Sequence, residues 1–510
     1  MAKNNKTHKS NSKSVKIGLG ITIGVVAVCV IGWFIYISGI IPQVLPGMTI
    51  YQTAPDGVTQ QKVESLSVLE TNYYFNMAFQ QYSQYGITRD MLDEVSDPAT
   101  GQTYRDMILQ YAGMMAMNQY LINKAAEEDG YLQYSTADAI AAKQSESMEM
   151  AATIYGYQSV DQYLYGVYGT GMSLRLYKSI LAKEILTNEY QEYIGQFKFA
   201  PTADEIQAAF DANPNAYKLA DLNYFFVPGE FDDDGNITNL DEAEEAAQKI
   251  AVYAGSPEEF RQAVVDYLTE KGDEDRLANF ADDADPTFCE GYTKEYCDWY
   301  GEDFSAFVFG EDTMEGDVAV LPADNGYYVV RLDKIYLADE TTVTYRVMTL
   351  QNETTLDLET TDMATLQADA EAQVAKILSG PVDSLTFYSI CKNNSSVSSE
   401  MINGGYTPGA VIASFTDTSA ETGYTPLATD VVEAGQWLFD PARVQGDYTV
   451  ILSQDKTRIL VYYFECAEPS WQYQVKNQLI TNKISEWSST LQSNTLSYEV
   501  NKGWLEQFTY

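Results

Sequence analysis

The stretch that most constrains the fold is Gly316 to Ile335, GDVAVLPADNGYYVVRLDKI. It reads as a strand (Val318 to Leu321), a polar turn (Ala323-Asp324-Asn325-Gly326) and a second strand (Tyr327 to Leu332). Asn-Gly between β-rich runs is a strong hairpin signal. The pattern returns as Gly446 to Glu465, GDYTVILSQDKTRILVYYFE. Phe307-Val308-Phe309 ends seven residues before the first Gly-Asp, and Trp437-Leu438-Phe439 ends seven before the second. A shared offset of this kind implies a duplicated unit.

The flanking sequence supports the duplication. Before the first hairpin come a β-rich run (Leu222–Val227), helices Asp241–Tyr253 and Pro257–Leu268, and an acidic, loop-rich piece (Asp273–Asp285). A Gly291-Tyr292-Thr293 turn and an apolar segment, Phe304–Phe309, follow. Before the second come Val343–Leu350, helices Met363–Leu378 and Val382–Cys391, Gly404-Gly405-Tyr406-Thr407 and Trp437–Phe439. Each unit is then β-α-α-turn-(α)-β-β and about 115–130 residues long, the size of a domain.

At 510 residues the chain has room for roughly three or four domains. Its charge is uneven. The first fifty residues hold Lys3, Lys6, Lys9, Lys13 and Lys16 and no acid. The other 26 basic residues face all 73 acids, a formal −47. So acidic a body does not bind nucleic acid or anionic lipid through its general field. It stays soluble beside an anionic cell surface. The 39 Tyr suit surfaces that contact polypeptide. The five Cys form no metal-like CxxC pair. Free or buried thiols are the favoured reading, with a Cys289–Cys297 disulfide as the alternative outside the cytoplasm. The one His, His8, lies in the basic tail. This excludes Ser-His-Asp and Cys-His hydrolysis, and His-ligated zinc, from the body of the protein.

Met1 to Lys16 is polar and basic. Ile17 to Ile41 carries no charge and is 25 residues long, enough to span a bilayer. Lys on its N-terminal side predicts that end inside and the rest outside, as an uncleaved signal anchor. Pro42 to Gln60 reads as a linker. Gln61 to Phe210 reads as mostly helical, with candidates Gln61–Tyr85, Tyr104–Glu128, Ala137–Tyr157, Val160–Tyr168, Ser173–Gln196 and Ala203–Ala212. Thr136 and Thr202 are predicted N-caps, the latter with Glu205 in a capping box. Met114, Met115, Met117, Met148 and Met150 read first as adaptable core filler and second as a pliant surface for varied apolar clients. Trp471–Leu491 reads as an amphipathic helix and Leu496–Val500 as a terminal strand.

This order resembles the membrane-bound parvulin-type foldases of the PrsA/SurA group, over most of the chain after the anchor. The helical arm carries Ser159-Val160-Asp161-Gln162-Tyr163-Leu164 and Gly166-Val167-Tyr168-Gly169, which look like that group's N-terminal chaperone region. Thr202-Ala203-Asp204-Glu205-Ile206, Phe210-Asp211-Ala212-Asn213 and Tyr217 follow before the first strand. The Gly-Glu-x-Ser turn and Gly-Tyr-His strand of the parvulin hairpin are here Gly316-Asp317-Val318-Ala319 and Gly326-Tyr327-Tyr328.

The resemblance implies an α+β protein with an N-terminal transmembrane helix. A helical chaperone-like domain (61–219), two tandem parvulin-like domains (220–340 and 341–468) and a C-terminal helix and strand (469–510) packing on the chaperone domain complete it. It also implies two catalytic imidazoles, and the sequence departs from it there. The positions read Tyr224 and Tyr328 in the first unit. In the second they fall near Arg346 and near Ile459 or Leu460. Prolyl isomerisation breaks no bond and faces a barrier of about 18–20 kcal/mol. A dry pocket that favours the twisted amide lowers it without acid–base chemistry. Tyr224 and Tyr328 are therefore candidate catalytic donors, against the plainer reading that they fill the old pocket. Phe225, Phe226, Phe307 and Phe309, with Met114 and Met115, are candidate polypeptide contacts, against core packing.

Glu230 to Asp241 is arranged like an EF-hand calcium loop, with Asp232, Asp234, Gly235 and Ile237 on loop positions; an ordinary Asp-Gly turn is the favoured reading. No cofactor or metal is implied. The expectation is a membrane-anchored folding factor for unfolded or newly secreted polypeptides, held by Ile17–Ile41 and not a nucleic-acid binder. An active prolyl isomerase and a non-catalytic scaffold for one fixed partner are the alternatives.

Overall fold

The computed structural model describes residues 39–54, 58–232, 237–416, 426–492 and 496–508. Ser67 sets the start of the first long helix. Its hydroxyl accepts from the Glu70 N–H at 3.2 Å, and the Glu70 carboxylate accepts from the Ser67 N–H at 2.8 Å. This reciprocal cap fixes the change from strand to helix. The expected helix Gln61–Tyr85 is therefore a strand, β2 (Gln60–Ser67), followed by α2 (Val68–Ser83). The expected linker Pro42–Gln60 holds a short helix, α1 (Ile40–Val44), and a strand, β1 (Pro46–Thr53).

β1 pairs with β2 on one side and, on the other, with Leu496–Val500 from the far end of the chain. The helical arm thus carries a three-stranded sheet. A small hairpin, β3 (Val95–Asp97) and β4 (Gln102–Thr103), precedes α3 (Tyr104–Glu128). Then come α4 (Ala137–Ile154), α5 (Val160–Tyr168), α6 (Leu174–Tyr193) and α7 (Ala203–Ala212). Between α6 and α7 lies a π-helical turn, Ile194–Lys198. The Thr202–Glu205 capping box starts α7. Thr136 makes no side-chain cap; its hydroxyl donates instead to Glu189 at 2.8 Å. One apolar core joins Leu69, Phe75, Ile108, Ile140, Leu164 and Ile180 across these helices.

The membrane anchor expected over Ile17–Ile41 is corrected. Residues 17–38 lie outside the described residues. Where the description begins, Gly39 takes a left-handed turn (φ 68°), and α1 runs only five residues before Pro46 opens β1. Among the described residues no helix is long and apolar enough to cross a membrane. The expected transmembrane element lacks support, and so do the single-pass topology and cell-membrane localisation that rested on it. What is described is a mixed α+β protein of helices and several small sheets.

The first unit contains β5 (Lys218–Pro228), a two-residue ladder of β6 (Glu230–Phe231) and β7 (Ile237–Thr238), α8 (Leu240–Val252), α9 (Pro257–Lys271) and α10 (Glu274–Leu277). It continues with β8 (Phe288–Thr293), α11 (Lys294–Asp298), α12 (Glu302–Val308), β9 (Val318–Ala323) and β10 (Gly326–Leu337). The second contains β11 (Thr341–Gln351), α13 (Met363–Ile377), α14 (Ser384–Asn394), α15 (Ser398–Asn403), β12 (Tyr406–Val411), α16 (Thr429–Leu438), β13 (Tyr448–Leu452) and β14 (Arg458–Pro469). The chain ends with α17 (Ser470–Gln492), β15 (Leu496–Val500) and α18 (Lys502–Phe508).

The two four-stranded sheets have the same order, β8-β5-β10-β9 and β12-β11-β14-β13. All neighbours are antiparallel. Gly316 and Gly446 both sit at positive φ (93° and 98°), and each N–H donates into the hairpin strand, to Leu332 and Phe464. A side chain there would be strained, so glycine recurs at the same corner. Gly326 serves another purpose than the turn chemistry suggested. Asp324 and Asn325 form the turn without positive φ, and a Cβ on Gly326 would lie 2.2 Å from the Val227 carbonyl of β5.

The units attach differently. The second is fused to the helical domain. Lys392 on α14 and Glu189 on α6 form an ion pair at 2.7 Å with neither side chain exposed. Tyr131 and Tyr388 share a hydroxyl hydrogen bond of 2.8 Å across the same contact. The first meets the rest through α7, the Pro214–Tyr217 turn and α17, where the rings of Phe210 and Trp471 meet at a tilt, 4.5 Å between centroids.

Candidate functional site

Strand pairing decides which residues share a face. Tyr328 lies opposite Phe226, and Val330 opposite Tyr224. Side chains alternate along a strand, so Tyr224, Phe226 and Tyr328 share one face of the first sheet. Their rings meet there: Tyr224–Tyr328 at 6.3 Å and Phe226–Tyr328 at 5.0 Å between centroids. Phe225 points to the other face and packs on Tyr267.

The sequence reading missed the rings that complete this cluster. Tyr292, Tyr296, Tyr300 and Phe304 recur every fourth residue through β8, α11 and α12. Such spacing puts side chains on one helical face. The signal was therefore present, although Gly301 at φ 122° breaks the helix. Tyr300 stacks on Phe304 at 4.9 Å and meets Tyr328 edge-on at 5.7 Å. Its hydroxyl shares a 3.0 Å hydrogen bond with that of Tyr224. Tyr292 meets Tyr296 at 4.7 Å, and Tyr296 stacks on Trp299 at 5.9 Å. The result is a run of rings from Trp299, 82 % exposed, down to buried Phe304.

Of the other predicted contacts, Phe307 packs half-buried on this cluster. Phe309 is buried, and its carbonyl accepts from the Asn215 amide at 3.0 Å. Met114 and Met115 are not brought here; they lie on α3 of the helical domain. Met114 is 45 % exposed, and Met115 packs against the domain core.

The site has little proton-transfer chemistry. Burial raises the Tyr328 and Tyr300 hydroxyls above their ordinary range, with Tyr224 beside both adding to the effect. They remain neutral donors at neutral pH. Cys289 and Cys297 are free thiols, which corrects the disulfide alternative. Burial pushes Cys297 up to about 12, so it is not a nucleophile here. In the proposed calcium loop, 233–236 lie outside the described residues.

The register also corrects the correspondence between units. Both hairpin strands carry a one-residue bulge against the first strand, Asp333 opposite the Asp221/Leu222 step and Glu465 opposite the Thr344/Tyr345 step. Counting from it, Tyr224 corresponds to Val347, not Arg346, and Tyr328 to Leu460. Arg346 corresponds instead to Asn223, on the opposite face. Likewise Gly291 corresponds to Gly409, not to the glycine of Gly405-Tyr406-Thr407: their following residues, Tyr292 and Ala410, pair with Ala220 and Val343 at matching positions. The second unit therefore has aliphatic side chains where the first has tyrosines. No protein-family model matches the chain, and no curated protein matches it.

Proposed function

We propose that this protein is a folding factor that binds unfolded polypeptide, with the aromatic face of the first unit as its main contact. The carrying observation is the continuous ring surface from Trp299 to Tyr328. Exposed aromatic area with a few hydroxyl donors suits weak, sequence-tolerant contact with extended chains. Glu295, Asp298, Glu302 and Asp303 border it in sequence and disfavour acidic clients. Tyr224 and Tyr328 are bracing residues of this surface: they are half-buried, and the Tyr224 hydroxyl is engaged by Tyr300. The likeness to parvulin-type foldases agrees with this reading.

The test is suppression of aggregation of a chemically unfolded client at stoichiometric ratio. The native chain is expected to suppress it. The double variant Tyr296→Ser, Trp299→Ser is expected to lose most suppression with its circular dichroism unchanged. A native chain that suppresses nothing contradicts the proposal. A proline-limited refolding assay adds a separate expectation: no acceleration beyond that of the Tyr328→Phe variant.

A further inference from the structure

In the first unit, the sheet end where the chain enters is closed by the chain itself. The turn Pro214–Tyr217 lies against α11, and Asn215 donates its side-chain amide to the carbonyl of Phe309, the residue that ends α12. The second unit reproduces the receiving parts. Phe439 ends α16 as Phe309 ends α12, each N–H bonded four residues back at 3.0 Å. The next turn repeats too: Met314 and Val444 each donate to the aspartate three residues on, Asp317 and Asp447. The 3₁₀ turn Ile412–Phe415 stands where α11 stands in the first unit.

The closing segment has no counterpart. Only Ala338-Asp339-Glu340 joins β10 to β11, too short a stretch to form a turn like Asn213–Tyr217. Where that turn would lie there is a cavity of about 630 Å³, lined by Val343, Ile412, Leu438, Phe439, Ala467 and Pro469 among others. Glu340, Asp440 and Glu468 also line it, so apolar wall and carboxylates lie together, and its size fits a ligand site.

We infer that this cavity takes a short segment of a client polypeptide. The segment would be a turn with an Asn side chain ahead of a small apolar residue, its amide donating to the Phe439 carbonyl as Asn215 donates to Phe309. The occupant is a client and not a second copy, because in every copy Pro214–Tyr217 is already seated in its own first unit. The polypeptide-binding reading supplies the source of the segment. The cavity itself rests on the equivalence of the two units.

The probe is a synthetic peptide copying Ala209 to Leu219, AFDANPNAYKL, fluorescently labelled and titrated into the full chain. Saturable binding is expected. The Asn215→Leu peptide should bind roughly three- to tenfold more weakly, the worth of one hydrogen bond. Ala467→Trp, which fills the cavity from an exposed position, should abolish binding and leave the first unit's aggregation suppression intact. Ile412→Glu, at the half-exposed lip, serves the same end if Ala467→Trp does not fold. No saturable binding, or binding that neither the peptide change nor the cavity change moves, overturns the inference. If the folding-factor reading alone fails, the peptide still binds while unfolded clients go unprotected.

Discussion

The two units share a strand order, a bulge and a glycine corner, and still face in different directions. In the first, Asn223 is buried, and its amide nitrogen donates within its own unit to Asp285 at 3.2 Å and Thr287 at 2.9 Å. The corresponding residue of the second, Arg346, reaches outward. It pairs with Glu465 at 2.5 Å, donates to Gln196 on the π-helical turn at 3.0 Å, and lies against the rings of Phe197, Tyr388 and Tyr406. On the opposite face, Tyr224 and Tyr328 give way to Val347 and Leu460. One backbone thus serves two ends. Buried charge ties the second unit to the helical domain, and the same sheet in the first carries the aromatic surface that we propose as a polypeptide contact. Buried pairs are costly to break and position partners narrowly, whereas rings tolerate varied neighbours.

The strongest way to break this comparison is Lys392→Met. It leaves Glu189 buried and short of its cation, at a cost of about 3–5 kcal/mol. Chemical denaturation should show the helical domain and second unit losing stability together. A second unit that melts alone would show that it is not fused. Next is Phe304→Ala, which removes the floor of the ring cluster at a cost of about 3 kcal/mol. Hydrogen exchange should place the loss in the first unit and spare α14 and α6. Tyr131→Phe removes one side of the Tyr131–Tyr388 bond and should cost about 1 kcal/mol in the same melt as Lys392→Met.

The smallest effect concerns the contact between α7 and α17. Lys483 and the Thr202 cap hold the Glu205 carboxyl down, from 4.5 to about 2. A depressed carboxyl contributes stability above its unfolded value and loses it as pH falls. The melting difference between the native chain and Glu205→Gln should therefore be full above pH 4.5 and vanish as pH falls through about 2. A constant difference across that window would remove the charge from the account.

The hairpins, their glycine corners and the helix cap at Thr202 were legible because each depends on a few adjacent residues. β1 was not, because its partner β15 lies more than four hundred residues away and Pro46–Thr53 lacks a clean alternation. Tyr224 was placed correctly on its strand, but its counterpart was misread by one residue. A one-residue slip exchanges the two faces of a strand. The ring cluster was half legible. Tyr224 and Tyr328 came from the resemblance to parvulin-type foldases and Phe226 from the aromatic run beside Tyr224, while the Tyr292–Phe304 stripe was hidden by the break at Gly301.

The central claim is that polypeptide contacts the first unit's rings while the second unit stays anchored. Hydrogen exchange of the full chain with and without an unfolded client tests it most directly. The account predicts new protection across Phe288–Phe304, with α6 and α14 unchanged. Protection confined to the helical domain around Met114 and Met150, with none across Phe288–Phe304, would contradict it.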